Sequence, residues 1–420
     1  MPNRPDIGRK AASLALFLAL LTPLAALAEE KGPQEPTPAT TPACSVITVA
    51  PGDGLDALFG HTAIRIRDPQ LGSGDVWFDY GVFNPGDAKT GEITIGSAAA
   101  FFMHYAKGDA KYLLVAAAPQ DRLAHYKAEG RQVTEQVLDL KPEEVRKLED
   151  FLLDDLRHGC GKEGYEYRFL DDNCTTRVAK AIEGVTGEKL SLEDRESRRY
   201  FTDCFLSAKP PVQLGANLLM GSHAEQKTIV FLPAQLEHAI GHAHRKLEKA
   251  KTGETATHVG WAVLGHIQSH MATMVLFFPC LVLVWVAGIF PTLLRHKKKI
   301  PLPRRGFLDF LIFGLIGLIG CLMSFLGVWS LHPELGAFNW NLIWCWPTHL
   351  LFALVLLFKA HSPLARNYAR VAAIGTGLAA LAYFFVPQAL PLPLFPLALL
   401  LALRAWRWGW APAAQETPSM

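Results

Sequence analysis

Acidic residues are nearly missing from the last third of this chain. Residues 271–420 hold only Asp309, Glu334 and Glu416, against eleven Lys and Arg, while residues 1–270 carry the other 36 acids and 30 bases. A long stretch so poor in one sign of charge, and so rich in Leu, Phe and Trp, does not read as a water-soluble domain. Other absences narrow the function. No clustered basic face marks a nucleic-acid binder, so no nucleic-acid partner is expected. No glycine loop that cradles phosphate and no dinucleotide fingerprint is present. The serines show no nucleophile-elbow pattern. His238 and His242 lie one turn apart in the segment 235–249, with His244 beyond, but no metalloprotease-type Glu stands between them and no Cys is close. That segment reads as a solvated face, and neither a metal nor a soluble cofactor is expected.

Half of the 420 residues are hydrophobic, and they are unevenly placed. Arg4, Arg9 and Lys10 precede an apolar run from Ala11 to Ala25, and Ala26-Leu27-Ala28 follows. This is the layout of a secretory signal, assigned to residues 1–28, with an uncleaved anchor as the alternative. Residues 29–43, rich in Pro, Thr, Glu and Gln, read as a disordered linker. Residues 44–255 then form an exported domain. Five apolar runs near 271–294, 308–331, 343–359, 370–386 and 389–403 are each expected to cross a ~30 Å hydrocarbon layer. They give an all-α membrane domain of about five helices over 270–405 and a cytoplasmic tail over 406–420. With five spans, all eleven bases of this region fall on one side, and loops 332–342 and 387–388 contain no Lys or Arg. The positive-inside rule makes the basic side cytoplasmic and places the soluble domain on the outer side of the membrane. The polar and aromatic loop after Leu331 then shares a side with the soluble domain. It suggests either an interfacial belt or, through His332, Asn339 and Asn341, a lipid head-group contact. Intramembrane His349 is expected only to bond a neighbouring helix.

The exported domain has an α+β pattern, an antiparallel sheet with helices segregated from it. Alternation predicts strands at Ser45–Ala50, Thr62–Arg67, Val76–Phe83, Tyr112–Ala117 and Gln132–Leu140. Pro142, Glu143 and Glu144 open a helix whose apolar stripe is read as Val145, Leu148, Phe151, Leu152 and Leu156. A second helix starts near Cys174, capped by Asp172 or Asn173, with Val178, Ala181, Ile182 and Val185 at helical spacing.

Cys174 and His61 are the candidate reactive pair. A thiol in the first turn of a helix feels the positive end of the macrodipole, which favours the thiolate. Backbone N–H groups there can also hold an oxyanion. His61, at the head of a strand, would serve as base and then acid. The four exported cysteines, Cys44, Cys160, Cys174 and Cys204, equally allow two disulfides in an oxidising compartment. Pairing Cys160 with Cys204 would leave Cys174 free. Sequence spacing does not license the His61–Cys174 pair, since 113 positions separate them.

The segments Phe59-Gly60-His61-Thr62-Ala63-Ile64-Arg65 and Tyr167-Arg168-Phe169-Leu170-Asp171-Asp172-Asn173-Cys174-Thr175-Thr176-Arg177 resemble a bacterial family that includes the Lnb lipoprotein N-acyltransferases. Pro51-Gly52-Asp53, Phe78 to Phe83, Gly221-Ser222 and Phe231-Leu232-Pro233 fit the same pattern, so the resemblance covers most of 45–235. The membrane segment with His332-Pro333, Asn339, Asn341 and Trp344 fits as well. The resemblance implies a circularly permuted papain-like fold with His before Cys. It makes Cys174 the nucleophile and His61 the base. Asp79 is the first candidate for the third, orienting group and Asn84 the second. Tyr167 and Asn173 would help the oxyanion or the cap. Arg65 and Arg177 would meet either a lipid phosphate or protein acids, with acids preferred. Asn217 and Ala224 stand where the family often has an acid. The implied reaction moves an acyl chain from a phospholipid to the α-amine of a lipoprotein's lipidated N-terminal cysteine. The alternatives are a membrane-anchored cysteine peptidase or amidase acting on cell-wall peptide, and a non-enzymatic assembly protein.

Overall fold

The computed structural model describes residues 41–54, 57–70, 74–83, 95–190, 197–207, 209–227, 230–242, 275, 277–283, 285, 286, 306–336, 338–359 and 362–410. The signal segment, Asn84, His244 and most of the first expected span lie outside the described residues.

The chain begins with β1 (Ala43–Val49), β2 (His61–Arg67) and β3 (Asp75–Val82), then α1 (Ile95–Lys107), β4 (Lys111–Ala117), α2 (Pro119–Ala128) and β5 (Val133–Leu138). It continues through α3 (Pro142–His158), a short β6 (Tyr165–Glu166), α4 (Cys174–Thr186), α5 (Arg198–Leu206), α6 (Pro210–Leu219) and α7 (Pro233–His242). The six strands form one antiparallel sheet in the order β5-β1-β2-β3-β4-β6. The expected strands are all present, and β1 begins at Ala43, the last residue of the expected linker, whose residues 29–40 lie outside the described residues.

Strand alternation builds two cores. Cys44, Val46, Ile64, Ile66, Phe78 and Tyr80 face α3, α4 and α7, which contribute Leu148, Val178 and Leu236 among others. Ile47, Val49, Ala63 and Trp77 face the other way, against Tyr126 of α2. Period-two alternation is what gives each strand an apolar side in both layers. In α3, Val145, Leu148 and Leu152 are buried as expected, but Phe151 is exposed. Its position falls off the stripe set by the 100° helical step, so the side chain points to solvent.

The helical part contains α8 (Gly306–Trp329), a one-turn α9 (Pro333–Gly336), α10 (Thr348–Phe358), α11 (Pro363–Ala382) and α12 (Phe395–Trp410). Among the described residues, Phe307–Trp329 is long and apolar enough to cross a membrane by itself, and Pro333–Ile343 with Thr348–Phe358 passes only as a pair bent by 49°. The later boundaries differ from the expected runs because helix ends follow capping, not hydropathy. Ser362 caps α11 with Pro363 in its first turn, so the helix begins earlier and takes in Arg366 and Arg370. Arg404 is not a loop base. It lies inside α12, buried against Asp309 of α8, whose second oxygen accepts from Trp408 Nε1 at 2.9 Å. His349 bonds its neighbours as expected, with the Tyr368 hydroxyl at 2.8 Å and the Trp344 carbonyl at 3.2 Å.

The sheet domain is tied to the helical part by directional bonds. Ser330 Oγ donates to the Ala106 carbonyl at 2.7 Å, and Leu331 N to the Lys107 carbonyl at 2.6 Å. Gly221 N donates to the Glu334 carbonyl at 2.7 Å, and Gln388 Nε2 to the Met220 carbonyl at 3.1 Å.

Candidate functional site

Two local devices bring Cys174 and His61 to one rim of the sheet. Asn173 caps α4: its side chain accepts from Thr176 N at 3.0 Å, and its own N–H donates to Thr176 Oγ1 at 2.8 Å. This box leaves Cys174 as the first residue of the helix. His61 opens β2 after Gly60, whose φ is +81° and where a Cβ would sit 2.5 Å from the Val49 carbonyl. Only glycine fits that turn. Thr62 Oγ1 and Thr175 Oγ1, the residues next in line, meet in the core at 3.2 Å and pin strand to helix.

By alternation His61 and Asp79 belong to the α2 face of the sheet, whereas Cys174 comes from the opposite layer. They meet at the rim because Gly81, with φ +93° beside a bulge in β3, has no side chain there. A Cβ on Gly81 would lie 3.5 Å from Cys174 Cβ and 3.6 Å from His61 Cε1. His61 and Cys174 thus flank Gly81, near enough for each to shift the other's titration. His61 Nε2 bonds Asp79 Oδ1, which leaves Nδ1 for the thiol. Asp79 is buried, and its Oδ2 pairs with Arg122 of α2 at 3.0 Å. The structure therefore brings three expected residues into one chain: thiol, imidazole, carboxylate.

The electrostatics follow from that chain. Burial by itself raises the Cys174 thiol, but the His61 charge and hydrogen bond, the Thr62 backbone and the Thr175 hydroxyl outweigh it, and the net shift is downward. Burial by itself lowers His61, but the Asp79 carboxylate and the thiolate outweigh it and raise the imidazole well above its ordinary range. Both shifts favour a thiolate–imidazolium pair near neutrality.

Of the alternative roles expected, Asn173 takes the cap, and Arg65 and Arg177 take the preferred acidic partners. Asn173 does not point an amide at the thiol. Its Nδ2 donates to the Phe169 carbonyl at 2.7 Å and the Phe231 carbonyl at 2.9 Å, so the whole side chain is spent on the cap and its anchor. Tyr167 is stacked between Tyr105 and Tyr112 within the core. Arg65 meets no free surface for phosphate: it is buried, with both Asp75 oxygens at 2.9 and 2.6 Å and Glu135 at 2.9 Å. Arg177 forms a double bond pair with Asp172 at 2.8 and 2.6 Å and lies 4.0 Å over the Tyr165 ring. Nor do His332, Asn339 and Asn341 face lipid. His332 Nε2 donates to the Tyr105 carbonyl at 2.7 Å and its Nδ1 lies 3.3 Å from Glu334. Asn339 Nδ2 donates to the Leu218 carbonyl at 2.7 Å, and Asn341 Nδ2 to the Asn217 carbonyl at 3.2 Å. A buried amide must satisfy its donors, and here the partners are backbone carbonyls of the sheet domain. Among the described residues no disulfide joins Cys160 to Cys204, and Cys160 accepts from Arg177 Nη1 at 2.9 Å.

Sequence reading missed Tyr165, Arg122 and Gly81. The Tyr165 hydroxyl is buried without a hydrogen-bond partner and would lie 3.8 Å from a Cβ on Gly81, beside the thiol. Its signal was the Tyr165-Glu166-Tyr167 alternation, which puts two tyrosines on one side of a short strand. A cleft of about 520 Å³ opens on the His61 side, lined by His61, Asp79, Gly81, Arg122, Arg131 and Glu129 among others.

A free thiol on a helix N-terminus, paired with a strand-borne imidazole and a buried carboxylate, is the apparatus of a cysteine nucleophile enzyme. Here it stands in a domain bonded to an apolar helical region. Residues 34–210 match the family model of the Lnb N-terminal periplasmic domain, and residues 269–415 match that of the Lnb transmembrane domain. The chain belongs to the Lnb family. It is a membrane protein with a periplasmic domain, and membership supports a role of the lipoprotein N-acyltransferase type. No curated protein and no solved structure matches it.

Proposed function

We propose that the protein is a cysteine-dependent lipoprotein N-acyltransferase of the bacterial inner membrane, multi-pass, with its thiol domain in the periplasm. The observation that carries this reading is the grouping of Cys174, His61 and Asp79 at the sheet rim, with His61 bonded to Asp79 and both His61 and Cys174 beside Gly81. The Cys174 thiolate attacks the ester carbonyl of a phospholipid. The carbon–oxygen bond breaks, and the His61 imidazolium gives its proton to the leaving alkoxide. The acyl chain remains as a thioester. The α-amine of a lipoprotein's lipidated N-terminal cysteine then attacks it. The carbon–sulfur bond breaks, the neutral imidazole takes the amine proton, and the thiolate–imidazolium pair is restored. Splitting amide formation into two transfers through a thioester lowers each barrier.

Asp79 holds the ring orientation and stabilises its cation, as an orienting carboxylate does in other nucleophile–base pairs. The Tyr165 hydroxyl and the N–H groups of the first turn of α4 are the groups placed to receive the carbonyl oxyanion. The basic residues between Arg295 and Arg305, before α8, and those at the start of α11 lie on the cytoplasmic side in this topology. The test is mass spectrometry of lipoprotein N-termini from cells carrying the wild type or Cys174→Ala. An added amide-linked acyl chain appears only with the wild type; the same chain in both would sink the mechanism. Peptidoglycan fragments released by the full-length protein, with unchanged lipoproteins, would instead support the peptidase reading.

A further inference from the structure

The cleft beside the site has no role in the scheme above. It lies on the imidazole side of the thiol: His61, Asp79 and Gly81 line it and Cys174 does not. That position is informative, because His61 must protonate the oxygen that leaves. The half of the donor carrying that oxygen therefore sits next to the imidazole, and the acyl half sits across the thiol from it. For a phospholipid, the leaving half is the glycerol with its phosphate.

The lining suits that half and not an alkyl chain. Arg122, His125, Glu129 and Arg131 all reach it from α2 and the turn after it. Two of these cations hold unused donors. Arg131 is more than nine-tenths buried; Nε donates to the Ala50 carbonyl at 2.8 Å and Nη1 to Glu129 at 3.2 Å, while buried Nη2 has no partner. Arg122 pairs with Asp79 through Nη2, and its buried Nε has none. An unmet guanidinium N–H is costly to bury and gains most from a charged acceptor. Glu129 at the rim is partly exposed and also pairs with His125 at 3.2 Å.

We propose that this cleft binds the phosphate-bearing glycerol half of the acyl donor, with Arg131 as its main phosphate contact and Glu129 as the charge that opposes it. The assignment rests on the acyl-transfer reading of Cys174. Fork-shaped guanidinium donors match phosphate oxygens better than an ammonium does. The cleft thus selects donors by head group, and the acyl chain enters from elsewhere.

The experiment measures acylation of Cys174 in the full-length protein by intact mass. One donor is an anionic phospholipid in mixed micelles, and the other is a p-nitrophenyl ester of the same acyl chain, which has no phosphate. The readout is the ratio of the two rates. In Arg131→Gln the phospholipid-to-ester ratio falls by about 10-fold, the loss of one charge-assisted bond. In Glu129→Gln it rises by about 2- to 5-fold, the relief of one partly exposed like charge. Glu129 is at the rim, so this second variant reads out even where Arg131→Gln folds poorly. An unchanged ratio in Glu129→Gln, or a fall in it, overturns the head-group assignment while leaving the thioester in place. Absence of any Cys174 adduct with either donor overturns the transferase reading itself.

Discussion

Replacing Asp79 with Asn tests the site most directly, because it removes one charge and almost no volume. Asp79 is buried between His61 and Arg122, with the Arg122 contact at 3.0 Å. At an effective dielectric near 20, unit charges about 3–4 Å apart interact by about 4–5 kcal/mol. Arg122 already offsets much of this, and after the substitution it faces the imidazolium unopposed. The net expectation is a fall in the imidazole pKa.

The sign follows from the two shifts. His61 is raised, so its pairing is intact at low pH and is lost as pH climbs through the raised value. Cys174 is lowered, so its thiolate is present at high pH and is lost as pH falls through the depressed value. The reactive pair exists between these limits, and the pH profile of acyl transfer, which needs thiolate and imidazolium together, is a bell. Asp79→Asn should move the alkaline limb to lower pH. Acyl transfer should fall about 10²- to 10⁴-fold as the base loses its orientation and its cation loses support. Acylation of Cys174 by the phospholipid from pH 5 to 10, followed by intact mass, reads both limbs, and iodoacetamide alkylation reads the acid limb alone. A wild-type bell in Asp79→Asn, with wild-type transfer, would refute the assignment of Asp79 as the orienting group.

Other substitutions separate chemistry from architecture. Tyr165→Phe removes a buried hydroxyl that has no partner; thermal stability should hold or rise while Cys174 acylation slows about 10- to 1,000-fold. Gly81→Ala forces a side chain into φ +93° against Cys174 and His61; a stability loss of about 1–2 kcal/mol with near-complete loss of thiol labelling is expected. Asn173→Ala removes the α4 cap and orphans two carbonyls, so denaturation should show about 2–4 kcal/mol of destabilisation, with Asn173→Ser milder. Asp309→Ala strips the buried Arg404 guanidinium of its carboxylate; detergent melts should show a loss of about 3–5 kcal/mol, largely recovered in Asp309→Leu with Arg404→Leu.

The strands, the α3 and α4 helices and the candidate thiol were legible in the sequence because each depends on neighbours in the chain. Alternation placed β1 to β5, and an Asn before an apolar 3.6-residue pattern placed Cys174 at a helix start. The polar side chains were legible only as residue types. Arg65 and Arg177 meet the acids preferred for them, but which acids was not legible, and His332, Asn339 and Asn341, read as belt or lipid contact, bond groups that the fold supplies. Hydropathy also misjudged helix limits near Arg366 and Arg404, where a cap and a buried ion pair override it.

What the chain determined by itself was thus local: periodicity, caps, the scarcity of carboxylates after residue 271, and a thiol on a helix N-terminus. Tertiary structure decided what those parts touch. His61 and Cys174 belong to opposite faces of the sheet and 113 residues separate them, so no local rule could pair them. They meet because Thr62 and Thr175 lock β2 to α4, and because Gly81 leaves the rim open between them. The same packing buried Asp79 against Arg122 and the imidazole, and that burial makes the pair of shifts possible.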